Sequence, residues 1–208
     1  MTECQYKESG TVIHRSQVWI QEIVWTLVND LDFETGKNVK KAVRTPSIKK
    51  IFHADFGPEL FKNMKGRRVI KTHLSFDFLP PKLLEKCKVI YVGRNPKDTV
   101  VSFFHHLKRK QLFSGTFEDF ASFFEAGLLH HSYWHHIRSG WERRDEENLK
   151  FLWYENMKAD TRGVIDELCD FVEHPLSDEQ KKLLCDHVQF DNMKKNKNAY
   201  NNQTFREE

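Results

Sequence analysis

The chain has 208 residues, 39% hydrophobic and 30% charged, the profile of a soluble globular protein with one full core and too short for two. A formal net charge of +3 supplies no global basic field, so composition does not point to nucleic acid. No apolar run is long enough to span a membrane, and the first residues lack the layout of a signal peptide. Cys4, Cys87, Cys169 and Cys185 lie far apart with no Cys-x-x-Cys, which fits free thiols in a reducing cytosol better than a disulfide frame or a zinc site.

In chain order, Ile20, Ile23, Val24, Leu27, Val28 and Leu31 have helical spacing, and Gly36 follows as a stop after an exit loop from Asp30. Residues 37–50 are basic and carry Pro46, which reads as an irregular surface connection. Pro58 to Lys65 has the pattern of a short helix ended by Gly66. Arg67 to His73 reads as a strand, and a short helix over Leu83 to Cys87 leads into the next one. Helices are expected from Thr116 to Ala126, from Ser132 to Arg144, from about Asn156 or Thr161 to Val172, and from Asp178 to His187. Asn148 to Tyr154 is a further strand, and Asp191 to Glu208 reads as a loose polar tail. Strands near 68–72, 88–93 and 149–153, alternating with helices, predict one parallel sheet covered on both faces.

The stretch from Lys88 to His106 organises the rest. Lys88 to Gly93 is a nearly continuous apolar run suited to a strand buried on both faces. Asn95 and Pro96 then supply an N-cap and a first helical residue, with Val100, Phe103, Phe104 and Leu107 on one face beyond them. Such a joint leaves backbone N–H groups and Arg94 at the carboxyl end of a strand, where open α/β sheets bind anions. An ordinary strand-to-helix joint with Arg94 in a surface ion pair fits the same residues. Lys71 and His73 end one strand, Arg94 follows another, and Tyr154-Glu155 ends a third. A histidine beside a lysine at such an edge suits activation of a hydroxyl and stabilisation of charge.

Five ordered segments carry a resemblance. Val69-Ile70-Lys71-Thr72-His73-Leu74 with Leu79-Pro80, Tyr91 to Asp98 followed by Val101-Ser102, and Phe151 to Asp160 resemble the cytosolic sulfotransferases. So do Trp134 to Trp141 and Trp19 to Trp25, and together the segments cover residues 18–197 in the family's order. The resemblance implies a three-layer α/β/α fold with a central parallel sheet, akin to P-loop NTPases, in a single domain over 1–208. It also implies transfer of a sulfonate from 3′-phosphoadenosine 5′-phosphosulfate (PAPS) to the hydroxyl or amine of a small acceptor, in the cytoplasm, with neither metal nor nucleic acid nor membrane involved. His73 would be the general base and Lys71 would stabilise charge on the sulfonate. Arg94 and Ser102 would hold the 3′-phosphate from one cleft, about a helical turn apart. Trp19 and Phe190 would sandwich adenine, with Tyr154 nearby.

Two departures from the family pattern stand out. Its loop Pro-Lys-Ser-Gly-Thr-Thr-Trp should precede the first helix, yet the gapless register gives His14-Arg15-Ser16-Gln17-Val18 before Trp19. Thr11-Val12-Ile13 then remains as the first strand, and Arg15 is the cation left to meet the phosphosulfate. The family's C-terminal lid and its short dimer motif are also missing before Glu208, which argues against a homodimer and for a domain incomplete at both ends. Two functions follow: a PAPS-dependent enzyme whose activity is impaired by these losses, or a non-catalytic remnant acting as a binding or regulatory partner. A P-loop kinase or GTPase is excluded, because no Gly-x-x-x-x-Gly-Lys-Ser/Thr occurs.

Three smaller signals remain. His131 and His135 have the i, i+4 spacing of a two-histidine metal site, but the segment reads more simply as a solvated helix face. Lys194, Lys195 and Lys197 read as a solvated turn, and the phenylalanines at 103, 104, 117, 120, 123 and 124 as core with some in reach of an acceptor pocket.

Overall fold

Four parallel strands form one sheet in the computed structural model, which describes residues 10–14, 18–48, 64, 66–128, 132–196 and 198. Strand β1 (Gly10–His14) lies between β2 (Val69–Thr72) and β3 (Cys87–Gly93), and β4 (Leu149–Trp153) flanks β3. The three strands expected near 68–72, 88–93 and 149–153 are therefore present, and the remnant at Thr11-Val12-Ile13 is a full central strand. Its register sets His14 beside Thr72 on one side and Tyr91 on the other.

Alternation of side chains along β3 divides the core in two. Ile90 and Val92 face α1 (Val18–Val28), whose Ile20, Ile23, Val24 and Leu27 are fully buried. Val89 and Tyr91 face the other way, with Leu149, Phe76 and Leu79, against Ile137. Each buried aliphatic side chain is worth about 1.5–3 kcal/mol of transfer free energy. A helix start follows β3 as expected: Asn95 caps α5 (Pro96–Arg109) by accepting from the Lys97 N–H at 2.9 Å.

The connection after α1 departs from expectation. The turn is made by Asp30 and Leu31 in left-handed conformations (φ 53° and 58°), and Gly36 lies inside α2 (Phe33–Asn38), capped by Asp32. A short α3 (Lys41–Arg44) follows, and Arg44, expected in a surface connection, is buried. The cause lies in α1, where Glu22 is also fully buried and needs a counter-charge. Arg44 Nη2 donates to Glu22 Oε2 at 2.9 Å, and the guanidinium stacks 4.4 Å from the Trp25 ring centre. The predicted helix at 58–65 falls almost wholly outside the described residues.

In the second half the short α4 (Leu83–Lys86) ends where Cys87 opens β3, and α6 (Phe117–Glu125) starts at a capping box of Thr116 and Asp119. Helix α7 (Tyr133–Trp141) lies on the Tyr91 side of the sheet. The helix expected from about 156 or 161 is two helices, α8 (Tyr154–Ala159) and α9 (Thr161–Phe171). Asp160 between them leaves helical geometry to cap α9, accepting from the Gly163 N–H at 2.8 Å. Helix α10 (Asp178–His187) has the expected bounds and is capped by Ser177. The start of the expected loose tail is instead helix α11 (Phe190–Lys195), anchored by a buried Met193.

Candidate functional site

The carboxyl ends of all four strands open on one edge of the sheet. There His14 leads through residues 15–17 to α1, Thr72 to His73, Gly93 to Arg94, and Trp153 to Tyr154. Arg15 lies outside the described residues.

One end of this edge is aromatic and cationic. The Arg94 guanidinium sits 4.7 Å above the Tyr154 ring, and its Nε is buried with no hydrogen-bond partner among the described residues. The Tyr133 hydroxyl donates to the Arg94 carbonyl and fixes the backbone there. Trp19, second residue of α1, meets Tyr154 edge-on with ring centres 6.0 Å apart, and its Nε1–H donates to the Val188 carbonyl at 2.8 Å. Three residues singled out from sequence, Arg94, Tyr154 and Trp19, thus come together from β3, β4 and α1. An orphaned guanidinium nitrogen flanked by flat rings fits a phosphorylated nucleoside, by charge-assisted hydrogen bonding and by stacking.

Ser102 and Phe190 stand further out. Ser102 is exposed and nearly two turns into α5, rather than one, and no hydrogen bond joins it to Arg94. Phe190 follows Val188 by two residues but is 61% exposed, with the Lys194 ammonium 4.3 Å from its ring centre rather than Trp19 across from it. The backbone donors expected to greet an anion are also engaged within the chain. The Asn95 N–H donates to Glu155 Oε1 at 2.9 Å, and that of Lys97 goes to the Asn95 side chain. An anion at this joint is therefore met by the guanidinium of Arg94 more than by the helix start.

The other end carries Lys71 and His73. By strand alternation Lys71 shares the face of Val69, which packs in the α1 core, and His73 projects beyond the strand and is exposed. Burial, and then the charge of Lys110, hold the Lys71 ammonium below its usual range. The His73 backbone is held from beneath. Buried His136 places Nε2 3.2 Å from the His73 carbonyl and Nδ1 2.7 Å from the Tyr91 hydroxyl. A carbonyl only accepts, so Nε2 carries the proton and Nδ1 accepts from Tyr91 in the neutral ring.

Sequence reasoning missed this support. His136 belonged to a segment read as a solvated face, and Tyr91 to an apolar run. The available signal was the Tyr91 hydroxyl itself, since a phenol in a strand buried on both faces needs a hydrogen-bond partner. His135 is exposed and pairs with Asp77 at 2.6 Å, while His131 lies outside the described residues. Among the described residues no three His, Cys, Asp or Glu side chains gather as a metal site would require.

The model of the sulfotransferase domain matches residues 6–208. The chain belongs to the sulfotransferase domain family. This family member is 34% identical over 213 residues to the luciferin sulfotransferase of Photinus pyralis, across 92% of the chain and 56% of that relative. It is 33% identical over 208 residues to sulfotransferase 1 family member D1 of Mus musculus, across 98% of the chain and 68% of that protein. Among solved structures, retinol dehydratase in complex with retinol and PAP superposes with a TM-score of 0.83 at 28% identity, over 94% of the chain and 68% of that protein. The chain thus spans little more than half the length of the first of these relatives. Its three-layer fold with a parallel sheet is the one the resemblance implied.

Proposed function

We propose that the chain transfers a sulfonate from PAPS to the hydroxyl or amine of a small acceptor, in the cytosol, with residues 1–208 acting as one domain. The observation that carries this reading is the unpartnered, buried Nε of Arg94 above Tyr154, with Trp19 alongside. Arg94 holds the 3′-phosphate, with Ser102 as a second donor, Trp19 and Tyr154 flank the adenine, and Phe190 closes over it. Arg15 supplies a cation toward the phosphosulfate. The bound donor supplies the sulfonate and the leaving phosphate. His73 takes the acceptor's proton, a role typically worth ~10²–10⁴ in rate, and Lys71 stabilises the negative charge that grows around the transferred group. The small acceptors named for relatives, luciferin and retinol, support an acceptor of that size.

The test is calorimetric titration with 3′-phosphoadenosine 5′-phosphate (PAP). Binding that Arg94→Ala weakens by roughly 10-fold or more, the range of a charged hydrogen bond, supports the reading. No binding at millimolar PAP would leave a scaffold without its donor and would sink it.

A further inference from the structure

β3 and β4 stay in register to their last residues, with Gly93 beside Trp153, and the pairing continues beyond both strands. One residue on, the Arg94 guanidinium lies over the Tyr154 ring at 4.7 Å. Two residues on, the Asn95 N–H donates to Glu155 Oε1 at 2.9 Å. From α7 the Tyr133 hydroxyl donates to the Arg94 carbonyl. Arg94 is thus held at its side chain, at its carbonyl and at the peptide nitrogen that follows it.

Capping alone does not account for Glu155. The first turn of α5 already has its cap, since the Asn95 side chain accepts from the Lys97 N–H at 2.9 Å. A carboxylate near a helix start gains from the dipole, but a guanidinium is its stronger partner. Yet the Arg94 Nε is buried with no hydrogen-bond partner, and among the described residues no ion pair joins Arg94 to Glu155. The Glu155 carboxylate therefore fixes the main chain and leaves the guanidinium open to a ligand. It also sets a negative charge beside a site for phosphate, which opposes binding.

We propose that Glu155 is a positioning residue for Arg94: by holding the Asn95 peptide it orients the guanidinium for the 3′-phosphate, and its charge tempers the affinity so gained. This rests on the sulfonate-transfer reading, in which Arg94 holds that phosphate. An amide in place of the carboxylate keeps the acceptor oxygen and loses the charge, whereas a methyl group loses both.

The experiment is calorimetric titration of PAP into the chain and into its Glu155→Gln and Glu155→Ala variants. Glu155→Ala is expected to weaken PAP about 3–10-fold, the range of one lost hydrogen bond, while Glu155→Gln binds at least as tightly as the unaltered chain. With Arg94→Ala in place, Glu155→Ala should change affinity by less than about twofold, because it acts through Arg94. Unweakened binding by Glu155→Ala, an equal loss in Glu155→Gln, or an equal loss in the Arg94→Ala background would overturn the proposal. The NMR signal of the Arg94 Nε–H, assigned by its absence in Arg94→Ala, reads the same grip with no donor present. It is expected to shift far more in Glu155→Ala than in Glu155→Gln. If PAP fails to bind but the signal behaves so, the donor reading falls and the positioning stands. A signal moved equally by both variants, or by neither, would overturn it.

Discussion

The Tyr91 hydroxyl stands 2.7 Å from Nδ1 of His136, and the far nitrogen of the same ring holds the backbone carbonyl of His73. The residue proposed as general base is thus held at its main chain by a buried pair on the other core face. Tyr91→Phe removes the hydroxyl and strands Nδ1 in a buried site. The expected cost is about 1–3 kcal/mol in denaturant unfolding, with a fall in kcat larger than any change in the KM for PAPS.

Gly140 tests the same support by packing. A methyl group there would come within 2.5 Å of the Tyr91 ring, which is fully buried and has no room to move. Gly140→Ala is expected to destabilise by about 1–3 kcal/mol and to reproduce the kinetic defect of Tyr91→Phe. A variant with wild-type stability and rate would show that the ring does not depend on this gap.

Glu22 and Arg44 form a buried ion pair, and removing Arg44 leaves the buried Glu22 carboxylate with His187 alone. Arg44→Met should cost about 3–5 kcal/mol, measured as a shift in denaturant midpoint. Burial raises the Glu22 carboxyl, but the hydrogen bond from His187 and the charge of Arg44 more than offset it, leaving Glu22 below its ordinary 4.5. Its contribution is therefore full above that ordinary value and is lost as pH falls through the lower folded value. Wild-type stability should drop below about pH 4.5, and Glu22→Gln should flatten that limb.

At the donor end, Arg94 and Ser102 are not equal partners. Arg94→Ala removes a charged contact, and Ser102→Ala removes a neutral hydroxyl that is exposed. PAP affinity should fall several times less for Ser102→Ala, in line with about 0.5–1.5 kcal/mol for a neutral hydrogen bond.

The joint between β1 and α1 is the place to restore donor grip. Changing His14→Lys, Arg15→Ser, Ser16→Gly, Gln17→Thr and Val18→Thr should tighten PAP binding several-fold, because the new lysine takes over the cationic role of Arg15 while the threonine hydroxyls add hydrogen-bond donors. The chain as it stands is expected to sulfonate 4-nitrophenol slowly. Robust turnover abolished by His73→Ala would show that these five positions matter less than positioning arguments imply.

Much of this was legible because it is local. The apolar run 88–93 and the Asn95-Pro96 cap state their structure within a few residues, and Lys71 and His73 share a face by strand alternation alone. What was not legible depends on distant partners. Arg44 looked like one more basic residue in a surface connection until Glu22, 22 positions earlier, accounted for its burial. Glu22 itself was the clue, a carboxylate in the midst of an apolar helix. His136 and Tyr91 were hidden in the same way, since neither periodicity nor composition shows which buried polar groups meet. The α11 helix was masked by its polar content, because a single anchor, Met193, holds it.

The Pro46 carbonyl that accepts from Lys71 has a second consequence. Among the described residues β2 is the outermost strand on its side, and an uncovered outer strand is a template on which another chain can add by backbone pairing. Proline offers an acceptor and no donor, so the segment at Pro46 and Ser47 covers that border without itself becoming a new strand to extend. Covering that border disfavours self-association of the strand that carries Lys71, and replacing Pro46 with a strand-forming residue such as Val would be expected to surface first as turbidity on concentration rather than as lost activity.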